Sequence, residues 1–284
     1  MILDIKFPTT NLDEIDEAVL RAARETATPT IPTEALETNA PKGRLIAGHH
    51  VGVDVYQTVG RDYWTYVPDQ YDGSAANLVV FQDGGSYLKQ TNATTVLDNM
   101  IAAGDLAPTI AVFVEPGDWA GHPKGTSANR SWEYDSINDA YVRFLLAELL
   151  PEAVGEYNIT DDPMKRAICG MSSGGICAFN VAWERPDQFG LVLSHVGSFT
   201  NIRGGHLYPS RIRLNGAKPI RVFMQDGAAD LNIGLGNWPI ANFDMASSLT
   251  YREYDMRFEF GLGAHDFQHP AAILPQSLKW LFRD

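Results

Sequence analysis

The pattern Gly170-Met171-Ser172-Ser173-Gly174 constrains this chain more than any other feature. A short apolar run, Ala167-Ile168-Cys169, precedes it and reads as a buried strand. Ile176-Cys177-Ala178-Phe179 and the residues on to Trp183 follow it and read as a helix that Pro186 ends. A Gly-x-Ser-x-Gly step between a strand and a helix is a sharp turn. The serine side chain stands alone above the sheet, and the small residues on either side keep adjoining segments from colliding. The helix that follows points its first amides, and the positive end of its dipole, at that serine.

The flanking segments place this turn in a larger pattern. Tyr63-Trp64-Thr65-Tyr66-Val67 is a strand ended by Pro68, and Leu45-Ile46-Ala47 and Val53-Asp54-Val55-Tyr56 read as earlier strands joined by short connections, which implies an antiparallel start. Leu78-Val79-Val80-Phe81 and Ile110-Ala111-Val112-Phe113-Val114 are apolar without alternation, as in strands covered on both faces. Helices are expected from Thr94 to Ala103, from Ile137 to Leu150, from Ala241 to Leu249 and from Pro275 to Phe282. In the second of these, Ile137, Tyr141, Phe144 and Leu145 share one face, and burial is expected to fade at Glu148. Leu191-Val192-Leu193, Ile220-Arg221-Val222-Phe223-Met224 and Arg257-Phe258-Glu259-Phe260 are the later strands. This order predicts an α/β fold: a mostly parallel central sheet, antiparallel at its N-terminal strands, with helices on both faces. Residues 1–43 read as a separate arm, with an amphipathic helix over Asn11–Ala27 (Leu12, Ile15, Val19 and Ala22 at helical spacing) followed by Pro29, Pro32 and Pro41. Residues 44–284 read as one domain, and 284 residues of 45% apolar content suit one sizeable core.

The formal net charge of −13 disfavours nucleic-acid binding, which needs a basic face. Arg203, Arg211, Arg213, Lys218 and Arg221 form a local basic cluster in sequence, read here as ordinary surface charge. The only cysteines, Cys169 and Cys177, flank the serine turn in apolar runs and are expected to pack as small buried groups. No segment is long and apolar enough to cross a membrane, and the N-terminus shows no signal peptide, so the cytoplasm is the expected compartment. Self-association is left open.

In a parallel sheet, ligands bind beyond the C-terminal ends of the strands, and that rule selects the loops that matter. After Phe81 comes Gln82-Asp83-Gly84-Gly85-Ser86-Tyr87, whose glycines let backbone amides approach a ligand. Acyl transfer by a serine needs two such amides for the oxyanion, and Gly85 and Ser173 are the expected donors. After Met224 comes Gln225-Asp226-Gly227-Ala228-Ala229-Asp230, where both aspartates could orient a histidine; Asp230, further into the loop, is preferred. After Phe260 comes Gly261-Leu262-Gly263-Ala264-His265, a histidine among small residues that let the loop curl back over the serine. The order Ser172, Asp230, His265 is that of the α/β-hydrolases. His195 also follows a strand and reads as a pocket residue. His265 and His269 make a His-x-x-x-His step, but no Glu follows the first and Pro270 interrupts, so no metal is expected.

With these residues together, the chain resembles the esterase family that holds enterochelin esterases, esterase D, and the feruloyl and acetylxylan esterases of carbohydrate esterase family 1. The enterochelin-esterase-like branch is the nearest match. The resemblance spans roughly Arg44 to Asp284 and rests on Phe81-Gln82-Asp83-Gly84, Arg130-Ser131-Trp132-Glu133-Tyr134-Asp135, Gly170 to Gly175, Asp226 to Asp230, and Gly263-Ala264-His265. It implies an α/β-hydrolase esterase with no metal or organic cofactor, with nucleophile Ser172, acid Asp230 and base His265. The acid is expected at the end of a Gly-x-x-Asp step, which Gly227-Ala228-Ala229-Asp230 supplies. A small-molecule ester is the expected partner. Arg130 and Asp135 read as an ion-pair knot, whereas Ser86, Tyr87, Trp119, Trp132, Tyr134 and Trp238 are candidates to line a substrate pocket. The sequence-level reading is a serine carboxylesterase. A trilactone siderophore hydrolase, a feruloyl or acetylxylan esterase, and a non-catalytic binding module on the same fold are its rivals.

Overall fold

The computed structural model describes residues 30–118 and 127–284; the helix expected over Asn11–Ala27 and Trp119 lie outside them. Eight strands form the main sheet: β1 (Arg44–Val51), β2 (Gly60–Val67), β3 (Asn77–Gln82), β4 (Thr109–Val114), β5 (Arg166–Met171), β6 (Leu191–His195), β7 (Arg221–Ala229) and β8 (Asp255–Ala264). Their spatial order is β1-β2-β4-β3-β5-β6-β7-β8. The β1–β2 and β2–β4 pairs are antiparallel and the pairs from β4 to β8 are parallel, as the short early connections and the later strand–helix alternation require.

The apolar run in β3 shows why these strands lack alternation. Leu78 and Val80 enter one core, and Val79 and Phe81 enter the other. The first core is covered by a helix running Ala140–Phe144, a π turn at Leu145–Leu149 and a last segment Leu150–Val154, together with Ser173–Glu184, Tyr208–Leu214 and Trp238–Tyr251. The second is covered by Gly84–Gln90, Ala93–Ala102 and Gln268–Leu281. The described part of the N-terminal arm lies on this second face. Ala35, in the single turn Thr33–Leu36, is fully buried there, and Asp98 Oδ1 accepts the Gly43 N–H at 2.9 Å.

Several local expectations change: the last helix starts at Gln268 and holds Pro275 inside it, and the helix expected from Ile137 starts at Ala140. Residues Val53–Tyr56 form a turn, because the Val53 and Val55 amides donate to the Glu148 carboxylate, at 2.7 and 2.9 Å, and not to a neighbouring strand. Glu148 is consequently buried and not at a fading edge. Burial raises its carboxyl, but the Val53, Val55 and Asp54 amides outweigh that and hold it below its ordinary range.

Between β2 and the segment after β4 lies an ion pair with both side chains out of solvent. Arg61 Nη1 donates to Glu133 Oε2 at 2.6 Å and Nη2 to Oε1 at 3.2 Å, and the guanidinium lies 4.1 Å from the Phe144 ring centre. Glu133→Ala would leave that cation unpaired in the core. The expected loss is about 3–5 kcal/mol of unfolding free energy, read from urea denaturation. A loss under about 1 kcal/mol would mean that water reaches the guanidinium.

Candidate active site

β5 delivers Ser172 at its end, and the helix Ser173–Glu184 begins on the next residue. Ser172 has φ 60° and ψ −121°, the strained conformation of a sharp strand-to-helix turn. A side chain at position 170 is excluded: a Cβ there would lie 2.1 Å from the Gly174 carbonyl oxygen. Two further strand ends are turned by non-glycine residues of positive φ, Asp83 after β3 (55°) and Val196 after β6 (42°). Strain of about 1–3 kcal/mol per residue is therefore gathered around one point. The Ser172 N–H donates to the His195 carbonyl at 2.9 Å, which ties the turn to β6.

At that point the structure brings three distant residues together. His265 Nε2 lies 2.9 Å from Ser172 Oγ, and His265 Nδ1 lies 2.5 Å from Asp230 Oδ1. With Nδ1–H donating to Asp230, Nε2 is the acceptor for the serine hydroxyl proton. Asp230 Oδ1 also accepts the Leu231 N–H at 2.5 Å, and the Asp230 side chain is out of solvent, whereas that of His265 is 20% exposed. The β7 loop reaches the histidine loop because Gly227 is bare: a Cβ there would lie 2.1 Å from the Gly263 carbonyl oxygen. The Trp238 ring stands edge-on to His265, with centres 5.8 Å apart, and its Nε1–H donates to Ser198 Oγ at 3.3 Å. Ser198 Oγ is in turn 3.2 Å from Ser172 Oγ. Sequence reasoning missed Ser198, which lies in a loop with no motif of its own.

Arg130 makes its ion pair with Asp83 and reaches Asp135 only through its charge. Its Nε and Nη2 donate to Asp83 Oδ1 and Oδ2 at 2.6 and 2.8 Å, and Nη2 also donates to the Met171 carbonyl at 2.9 Å. It therefore pins the loop after β3 to the residue before Ser172. Asp135 is buried, and burial raises its carboxyl above the ordinary range.

Of the two amides expected to face an oxyanion, that of Ser173 is the first of its helix and has no acceptor within it. That of Gly85 is engaged: it donates to Glu115 Oε1 at 2.8 Å. Burial, the largest influence, holds the Glu115 carboxyl above its ordinary range despite that contact.

The expected pocket residues separate. Trp238 is buried but packs on His265. Trp132 is exposed, with the Arg203 guanidinium 4.8 Å from its ring centre, and Ser86 is half-buried. Tyr87 and Tyr134 are buried in the two cores. The Tyr87 hydroxyl hydrogen-bonds His195 Nδ1 at 2.8 Å, and His195 is itself fully buried. Burial pushes that imidazole down to about 3, so it stays neutral in the core and is not a pocket residue. His269 also packs inward, 3.1 Å from Gln225 Nε2. The arginine cluster disperses too: Arg211 pairs with Glu184, Arg213 with Ser247 and Ser248, and Arg221 with Asp255, while Lys218 donates to the Trp183 carbonyl. A cavity of about 1040 Å³ is bordered by residues such as Leu36, Asn99 and Lys279, away from Ser172.

A family described as "Putative esterase" matches residues 60–239, a span that holds Ser172 and Asp230 and stops short of His265. The chain belongs to this esterase family. Among its esterase relatives is the iron(III) enterobactin esterase of Dickeya dadantii (strain 3937), 25% identical over 238 residues, which cover 78% of this chain and 51% of that protein. The chain thus spans about half the length of that relative. Similar solved structures include the enterochelin esterase of Shigella flexneri (TM-score 0.70, 20% identity, 90% of this chain and 60% of that one). Another is the CE1 ferulic acid esterase of Anaeromyces mucronatus (TM-score 0.71, 18% identity, 88% and 95%). At these identities the likeness is one of fold: an α/β-hydrolase architecture shared by esterases of different substrates.

Proposed function

We propose that this chain is a serine carboxylesterase. The observation that carries the reading is the unbroken line of hydrogen bonds from Ser172 Oγ through His265 to Asp230. His265 Nε2 takes the Ser172 proton as the oxygen attacks an ester carbonyl, and Asp230 holds the imidazole in the required tautomer and offsets its positive charge. The leaving alcohol receives that proton. Water, deprotonated by the same imidazole, then releases the acid from the acyl-enzyme. The Ser173 amide, at the positive end of its helix, stabilises the oxyanion. The test is a panel of aryl, acetyl, feruloyl and trilactone esters offered to the purified chain, with a fluorophosphonate probe for Ser172. Absence of both turnover and labelling would favour a binding module.

Gly85 joins the Ser173 amide only if its bond to Glu115 opens. Glu115→Ala removes that competitor, together with a negative charge near the developing oxyanion. The expected result is a rise in kcat of about three- to tenfold, the equivalent of one modest hydrogen bond. An unchanged or lower kcat would place Gly85 outside the oxyanion site.

Within this reading, a trilactone substrate is the second choice. The enterobactin esterase relative favours it, whereas the net charge of −13 and the dispersed arginines disfavour a strongly anionic one. The trilactone member of the panel decides between them.

A further inference from the structure

The acid of the proposed triad has a second acid behind it. Asp226, inside β7, is fully buried, and Asp230 lies just beyond the end of that strand with its side chain out of solvent. Asp226 Oδ1 accepts the Gly227 N–H at 2.7 Å, and Asp230 Oδ1 accepts from Leu231 and His265. The remaining oxygens, Asp226 Oδ2 and Asp230 Oδ2, are buried and have no donor among the described residues. The Asp230 N–H donates to the Gly227 carbonyl at 3.0 Å, which closes a turn that folds Asp230 back beside Asp226, and the two carboxyl groups act on each other. Asn242 also acts on Asp226, holding its carboxyl down against the larger effect of burial. Its Nδ2, however, is directed at the Gly197 and Trp238 carbonyls, at 2.9 and 3.1 Å, which fixes its orientation and makes its Oδ1 a third buried acceptor without a donor.

Two adjoining carboxylates buried away from solvent do not both stay ionised. A single proton held between them supplies the missing donor. Asp230 has two donors stabilising its charged form, one of them His265, whereas Asp226 sits deeper and faces Asp230 itself. We propose that Asp226 is a positioning residue that remains protonated and donates its carboxylic O–H to Asp230 Oδ2, so that the pair carries one negative charge and Asp230 presents it to His265. This rests on the Ser172–His265–Asp230 reading above.

Burial, followed by the closeness and charge of Asp230, pushes the Asp226 carboxyl well above the ordinary carboxylate range. Few other groups face it. His195 of β6 and Glu259 of β8 are level with Gln225, so the alternation of the sheet turns them to the opposite face, where Gln225 meets His269. Phe260 of β8 is level with Asp226. From the helix Trp238–Tyr251 the contact is Asn242, and the charged Asp244 of that helix is exposed. While Asp226 keeps the shared proton, that proton fixes the carboxylate of Asp230 in the orientation His265 needs. Once rising pH removes it, a second anion appears beside the first, the two repel, and the alignment of His265 is lost.

The test compares pH profiles of kcat and KM on a p-nitrophenyl ester for the full chain, Asp226→Asn and Asp226→Ala, with fluorophosphonate labelling of each. The carboxamide of Asp226→Asn keeps the Gly227 contact through its oxygen and offers a permanent N–H to Asp230. It should hold kcat within about fivefold of the parent at neutral pH and lack the parent's alkaline fall in kcat. Asp226→Ala should lose about 10- to 100-fold in kcat with KM unchanged. An alkaline fall that stays in place in Asp226→Asn overturns the proposal, as does an Asp226→Asn enzyme as impaired as Asp226→Ala. If Asp226→Ala does not fold, the alkaline limb of Asp226→Asn decides alone. A parent chain that neither labels at Ser172 nor loses turnover in Ser172→Ala overturns the active-site reading and this inference with it. A labelled enzyme with an unmoved limb overturns this inference only.

Discussion

Ser172→Ala is expected to lower kcat on an aryl ester by about 10⁴- to 10⁶-fold, equivalent to about 5–8 kcal/mol of barrier. The hydroxyl is the only atom removed, and it is the one His265 Nε2 reaches at 2.9 Å. The nearest substitute is Ser198 Oγ, 3.2 Å from the lost oxygen. It is fully buried and accepts the Trp238 Nε1–H, so it is placed to support Ser172 and not to attack a substrate. The fold should survive, because alanine carries nearly the same cost as serine at φ 60°, and the surrounding contacts of this turn are made by backbone. The measurement is kcat beside a thermal melt: an unchanged melting temperature with turnover gone is the expected pair. Turnover within tenfold of the parent would remove Ser172 from the chemistry.

The fold was legible because its strands are written without alternation. A run such as Leu78-Val79-Val80-Phe81 fits only a strand with a core on each side, and the structure divides those four residues between two cores. Ser172, Asp230 and His265 could be selected because a parallel sheet admits few positions to its ligand-binding edge, and all three stand there in compatible order. What stayed hidden depends on distances that no local pattern encodes. Tyr87 and Tyr134 are large aromatics near the motifs, and nothing in their neighbours separates a core ring from a pocket ring. Glu148 looked like a helix edge because its partners, the Val53 and Val55 amides, are more than ninety residues away. The Gly85 loop carried the right residues for an oxyanion site, but the acceptor that engages it, Glu115, comes from the end of β4.

The choice between Asp226 and Asp230 is where the second large effect lies. Asp230→Ala is expected to lower kcat by about 10³- to 10⁴-fold with little change in KM, since the carboxylate touches the imidazole and not the substrate. Asp226 is close enough to invite the objection that it would take over, freed to ionise once its neighbour is gone. Its position argues against that. Asp226 Oδ1 is held by the Gly227 N–H, its strand is paired on both sides, and it is Asp230 that meets His265 Nδ1, at 2.5 Å. A charge on Asp226 would offset part of the imidazolium but would not accept the Nδ1–H, so it would not select the tautomer. A loss below tenfold would reassign the orienting acid to Asp226. The double variant Asp226→Ala, Asp230→Ala sharpens the comparison. If Asp226 acts through Asp230, the double variant is no slower than Asp230→Ala alone, and the two losses fail to add by the whole effect of Asp226→Ala. If each acid reaches His265 independently, the losses multiply.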